Sequence, residues 1–256
     1  MKKDDPPDPV VEVRALFSLQ DIVLHYGPLR VFEQFNLGCS RQEFTCLLGP
    51  SGVGKTSILN LLAGVVTPQA GRVHSDSRRL AYVFQEPRLL PWLTAAENLQ
   101  IGLYNLGWDA SQRRQRVKSL LPVLGLAGFG GYYPGQLSGG MKQRVSIGRA
   151  FAIQPDLLLL DEPFSGLDEN LKKDMEELLL SLGRWHACTT VMVTHNVPEA
   201  VRLADRIVVV GGRPCETVLE IRPEPGQRSQ APYVKHLEQV LVDALNPGSG
   251  SHVSID

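Results

Sequence analysis

Gly49-Pro50-Ser51-Gly52-Val53-Gly54-Lys55-Thr56-Ser57 follows the apolar run Phe44-Thr45-Cys46-Leu47-Leu48 and precedes a helical pattern, Ile58, Leu59, Leu61, Leu62 and Ala63. Strand, glycine loop and helix therefore occur in the order that a phosphate cradle needs. Glycines in the loop admit backbone conformations closed to other residues, so successive N–H groups can point at phosphate oxygens while the helix N-terminus adds its positive end. In such a loop Lys55 would reach the β- and γ-phosphates and the Thr56 hydroxyl would hold Mg2+. The stretch predicts an α/β chain organised around a nucleotide site.

The rest of the composition sets bounds on that site. With 256 residues, 43% of them hydrophobic, the chain can bury a full core as one large domain or two lobes. A formal net charge of -1 gives no overall electrostatic grip on nucleic acid or on an anionic membrane. Cysteines at 39, 46, 188 and 215 make no C-x-x-C pair, and three lie in apolar runs, which predicts buried thiols rather than disulfides or zinc ligands. No apolar run approaches the ~20 residues of a membrane span, so work at a membrane would need a separate spanning subunit.

Along the chain, residues 1–9 read as a disordered leader and 10–26 as half-buried strand, with Tyr26 an exposed aromatic at its end. Val31, Phe32, Phe35 and Leu37 continue an antiparallel sheet beside the nucleotide core. The helix after the glycine loop should stop at Gly64, with Pro68 just beyond. Leu80 to Gln85 reads as a strand ending in a glutamine. The next segment, Glu86-Pro87-Arg88-Leu89-Leu90-Pro91-Trp92-Leu93-Thr94, is apolar but broken by two prolines, which suits a surface docking loop better than regular structure. Thr94 and Glu97 predict a capping box, and the pattern stays helical to Leu126, with Arg113, Arg114, Arg116 and Lys118 as a solvated basic face.

A glycine-rich loop, Gly128 to Gly135, delivers Leu137-Ser138-Gly139-Gly140-Met141-Lys142-Gln143-Arg144, whose serine and glycines open a second helix suited to an anion. Leu157 to Leu160 looks like a central parallel strand buried on both faces. Asp161 and Glu162 follow at its carboxyl end, where open α/β sheets bind ligands. Pro163 to Asp168 forms a turn into a helix over 169–184. Thr189 to Thr194 is a further buried strand with His195 at its end, followed by a short helix and the strand Arg206 to Val210. From 221 onward the chain reads as a C-terminal extension with one helix near 232–245 and a loose end.

With these residues in place, the chain resembles an ABC-type ATPase from about residue 16 to 211. Gly49–Ser57 is similar to the family's Walker A and Gln85 to its Q-loop. Leu137–Arg144 is similar to its signature, Leu157–Pro163 to its Walker B, Ser165–Asp168 to its D-loop and His195 to its switch histidine. The resemblance implies a P-loop fold spanning 10–220, with a mostly parallel core sheet, an antiparallel β subdomain and an inserted helical subdomain near 88–152. It implies ATP and Mg2+ as cofactors. Gly49, Pro50, Ser51, Gly52, Val53, Gly54, Lys55, Thr56 and Ser57 would bind phosphates, and Tyr26 would stack on adenine. Thr56, Gln85 and Asp161 would hold the metal, Glu162 would polarise the attacking water and His195 would contact the γ-phosphate. Ser138, Gly139 and Gly140 would close on ATP held by a second ATPase subunit.

Residues Gln85 to Thr94 look most like those of ATPases from importers of nitrate, sulfonate, taurine, bicarbonate or thiamine precursors. That likeness implies transmembrane permease subunits, an external solute-binding protein reached through them, attachment to the cytoplasmic face of the membrane, and no nucleic-acid partner. An exporter or lipoprotein-extracting ATPase, and a soluble ABC ATPase of DNA repair or translation, stand as alternatives. The solute, and whether the dimer pairs like or unlike chains, stay open at this level.

Overall fold

A computed structural model describes residues 15–228 and 230–246. The leader and the first residues of the expected opening strand lie outside the described residues, as do 247–256. Strands β1 (Ala15–Tyr26) and β2 (Leu29–Ser40) form an antiparallel hairpin, turned at Gly27-Pro28 with Tyr26 opposite Leu29. After β3 (Phe44–Leu48) and helix α1 (Lys55–Leu62), β4 (Ala70–Ser75) pairs antiparallel with the free side of β1 and completes a three-stranded sheet. The end of α1 is as expected: Gly64 takes φ 68°, and Val65 N–H reaches back to the Asn60 carbonyl.

The larger sheet is built by β5 (Leu80–Val83), β6 (Leu157–Asp161), β7 (Thr189–Thr194), β8 (Arg206–Gly211) and β9 (Glu216–Ile221) together with β3. Its order is β5-β6-β7-β3-β8-β9, parallel throughout except for β9, which returns antiparallel along β8. Both faces are covered, which explains why the central strands are buried, the threonines of β7 included, and mostly apolar. On one face Leu47, Leu159, Val191, Val193, Val208 and Val210 meet α1 and the hairpin sheet. On the other, Leu48, Leu158, Leu160, Met192, Ile207 and Val209 meet the remaining helices. Alternate residues of each strand thus feed two cores.

Those helices are α2 (Ala95–Gln100), α3 (Ala110–Val123), α4 (Gly139–Ala152), α5 (Glu169–His186), α6 (Val197–Leu203) and α7 (Ala231–Leu245). The single helical pattern expected up to Leu126 is divided. A 3-10 turn over Ile101–Leu106 ends at Gly107 in the left-handed region, and Asp109 starts α3 with its own capping box to Gln112. The basic face of α3 is also not simply solvated. Arg116 donates to the carbonyls of Phe151 and Ala152 at the end of α4, and Arg113 donates to the Trp108 carbonyl and lies over the Tyr104 ring. Helix ends expose unpaired carbonyls, and a guanidinium satisfies them well. In the C-terminal stretch, α7 seats Leu237 and Leu241 in the core beside α6 and β8.

Candidate functional site

Parallel register brings the ends of three strands to one edge. Leu48 pairs with Thr194 across β3 and β7, and Asp161 pairs with Val193 across β6 and β7. The glycine loop, the acids and His195 therefore leave the sheet side by side. Beside them lies a cavity of about 300 Å3, lined by Tyr26, Leu29, Val31, the loop residues Ser51, Gly52 and Gly54, then Lys55 to Ser57, and Glu162, while Val53 turns into the core. One end is aromatic and apolar; the other carries backbone amides, an ammonium and a hydroxyl. A larger cavity, about 470 Å3, opens at the amino ends of the strands beside Phe44 and holds none of these residues.

Lys55 is buried at the start of α1, where its ammonium donates to the Gly49 carbonyl at 2.7 Å and the Pro50 carbonyl at 2.9 Å. Burial pushes its pKa below the ordinary lysine value, against the pull of Glu162 and Asp161. The preceding Gly54 has φ 121°, a backbone region that L side chains rarely adopt, so the turn into α1 depends on glycine here. Thr56 Oγ1 donates to Asp161 Oδ1 at 3.3 Å, and Tyr82 OH donates to Asp161 Oδ2 at the same distance. Burial raises the Asp161 pKa, with the Glu162 carboxylate adding to the rise, while the Thr56 and Tyr82 hydrogen bonds and Lys55 oppose it. Sequence reasoning missed Tyr82. Its one signal was a phenol in the otherwise apolar strand Leu80–Val83, where a half-buried hydroxyl needs a partner.

Glu162 has φ 44°, left-handed for a residue with a side chain, and its N–H is held by the Val193 carbonyl at 2.9 Å. Its carboxylate, partly buried, meets His195 Nδ1 at 3.2 Å. Gln85, two residues past the end of β5, donates from Nε2 to Ser165 Oγ at 3.2 Å, inside the turn that follows Glu162. Its amide nitrogen is thus engaged with that turn rather than with Thr56.

Ser138, Gly139 and Gly140 do not line the cavity beside Lys55. Ser138 caps α4 by accepting from Met141 N–H, and both Ser138 and Gly139 are exposed. Gly140 is buried: a Cβ there would come within 2.7 Å of Leu171 Cδ2, so the glycine lets α4 approach α5. From α4, Gln143 Nε2 donates to the Pro163 carbonyl at 2.5 Å, which ties this helix to the residue after Glu162.

Over residues 32–165, which carry the glycine loop, Gln85, Ser138–Gly140 and both acids, the sequence matches the family described as ABC transporter. The chain belongs to the ABC transporter family. This ABC protein is 41% identical over 211 residues to the Bicarbonate transport ATP-binding protein CmpD of Synechocystis sp., covering 79% of this chain and 75% of that protein. It is 38% identical over 239 residues to the Aliphatic sulfonates import ATP-binding protein SsuB 1 of Agrobacterium fabrum, covering 93% and 86%. Among solved structures it is similar to a dimeric ATP-binding cassette in a post-hydrolysis state bound to ADP and Pi, with a TM-score of 0.72 and 29% identity over 81% of this chain and 99% of that one. The fold expected from the sequence holds: a P-loop cassette with parallel and antiparallel sheets. As an ABC ATP-binding protein, the chain is an ATP-hydrolysing transport ATPase.

Proposed function

We propose that this ATPase energises a membrane importer for a small solute of the bicarbonate, sulfonate, nitrate, taurine or thiamine-precursor kind, with residues 10–220 as the cassette and 88–152 as its helical part. The observation that carries the hydrolytic reading is the 3.2 Å contact between Glu162 and His195 beside the cavity that Lys55 and Thr56 line. The cavity's two ends suit the two ends of ATP. Tyr26 and the apolar Leu29 and Val31 would hold the base, and Lys55 with the loop amides would hold the phosphates. Among the described residues no three His, Cys, Asp or Glu side chains converge as a metal site. The hydroxyl of Thr56 and the carboxylate of Asp161, 3.3 Å apart, are oxygen donors that suit Mg2+, and the amide oxygen of Gln85, whose nitrogen bonds Ser165, would join them. Bound there, Mg2+ would neutralise charge on the transferred phosphoryl group.

Glu162 would orient the attacking water and accept its proton, and His195 would hold the γ-phosphate. Ser138 and Gly139, exposed at the start of α4, would complete the site of a second subunit, so the working form is a dimer. The permease surface is the proline-broken loop. Trp92 stands 69% exposed there, while Asn98 fastens the loop through the Leu90 and Leu93 carbonyls and Arg149 holds the Pro87 and Arg88 carbonyls. A rigid loop presenting a bare indole is a docking device that closure of the dimer can pull on. The assembly would then sit at the cytoplasmic face of the membrane, with an external solute-binding protein supplying the cargo.

Glu162→Gln should bind ATP yet turn it over ~10²–10⁴-fold more slowly, the range for loss of a general base. Unchanged turnover would remove Glu162 from that role. Tagged Glu162→Gln protein, extracted in detergent with ATP and Mg2+, should bring down a multi-span membrane protein. Recovery of soluble proteins or nucleic acid alone would overturn the importer reading and leave the ATPase intact.

A further inference from the structure

Behind His195 lies an ion pair that the site described above does not use. Lys172 and Glu199 are both buried, with Lys172 Nζ 3.1 Å from Glu199 Oε1. The other carboxylate oxygen accepts from Thr194 Oγ1 at 2.7 Å. The one hydroxyl proton of Thr194 is thereby committed to Glu199, which leaves its lone pairs for Asn196, whose N–H donates to Thr194 Oγ1 at 3.0 Å. Asn196 is tied a second time, its Oδ1 accepting from Glu199 N–H at 3.0 Å. The residues on both sides of His195 are held through Glu199, while the His195 side chain is 58% exposed and meets Glu162. From the other direction Lys172 rises from the first turn of α5, its N–H bonded to the carbonyl of Asp168, the last residue of the turn after Glu162.

Burying two charges costs desolvation that their attraction does not reliably repay, so the pair needs a reason beyond cohesion. Cohesion is already served. One turn along the same helices Glu176 and Arg202 form a bidentate pair at 2.7 and 2.8 Å that laces α5 to α6 without touching the His195 loop. A small cavity of about 110 Å3, bounded by Glu162, Ser165, Lys172, His195 and Glu199, lies between the inner pair and the reacting groups.

We propose that Glu199, held in place by Lys172, is a positioning residue for ATP hydrolysis. It fixes the backbone on either side of His195 so that the imidazole meets Glu162. The proposal rests on the reading of Glu162 and His195 as the hydrolytic pair. Its test is steady-state ATP turnover and thermal midpoint of the full chain for Glu199→Gln, Lys172→Arg, Glu176→Gln, Thr194→Val and His195→Ala. Glu199→Gln should lower kcat roughly ten- to hundred-fold, the scale of a small misplacement of a reacting group, with KM for ATP within about two-fold. Lys172→Arg, which keeps the charge, should retain most of kcat. Glu176→Gln should lower the thermal midpoint at least as far as Glu199→Gln and leave kcat near wild type.

If Glu199→Gln fails to fold, Thr194→Val, which removes the hydroxyl at nearly constant volume, carries the same expectation of lost kcat and constant KM. The proposal is overturned if these variants keep wild-type kcat, or if Glu176→Gln loses kcat in the same proportion to its midpoint. Full turnover by His195→Ala would sink the hydrolytic reading itself, whereas loss there with none in Glu199→Gln removes only the positioning role.

Discussion

Glu162 combines a left-handed backbone, a hydrogen bond from its amide to β7 and a carboxylate turned to His195. A non-glycine residue in that region costs about 1–3 kcal/mol, which the register of β6 on β7 sustains, and such strain gathers where a side chain must be aimed. The cysteines show the opposite use of burial. All four thiols are free and buried. Burial above all pushes Cys39, Cys188 and Cys215 from 9.0 up to about 12. In the unfolded chain they ionise near their ordinary value while the folded ones stay neutral, so stability is intact below that value and falls as pH rises from there toward about 12. The thermal midpoint should therefore drop on the alkaline side, and Cys188→Ala should flatten that drop. An identical alkaline slope in the variant would show that the thiol is not linked to folding. The native thiols should also resist alkylation until the chain is denatured.

Among the elements, α7 was legible from sequence as a helix near 232–245, but its attachment was not. Leu237 and Leu241, one turn apart, are the only fully buried side chains on it, and they enter the core that β8 and α6 share. Leu241→Ala should cost about 2–5 kcal/mol in a denaturant titration, while exposed Lys235→Ala should stay within about 0.5 kcal/mol. Equal effects would mean that α7 does not dock. The box that starts α2 is legible in Thr94 and Glu97, because its chemistry is local: Thr94 Oγ1 accepts from Glu97 N–H and the Glu97 carboxylate accepts from Thr94 N–H. Thr94→Ala should cost about 0.5–2 kcal/mol. The break at Gly107 was equally local, yet the apolar period on either side of it concealed the 3-10 turn.

At the scale of the whole molecule, two sheets share one cassette. The small antiparallel sheet brings Tyr26 to the cavity and the large sheet brings the phosphate loop and the acids. Glu162→Gln protein with ATP and Mg2+ should elute at dimer mass and return to monomer when ATP is removed. Trp92→Ala should leave both dimer and thermal midpoint unchanged, since the indole is mostly exposed, but should reduce recovery of the membrane partner. Retained recovery would move docking to another surface. The sequence by itself determined the fold class and the residues at the carboxyl edge of the sheet. A glycine loop between strand and helix, and acids directly after an apolar run, write their environment into adjacent positions. Tertiary structure alone decided the partnerships. Tyr82 finds Asp161, Arg116 closes the end of α4, Gln85 turns to Ser165, and Lys172 meets Glu199. Each joins groups from separate elements, through strand register and helix packing that no local period encodes.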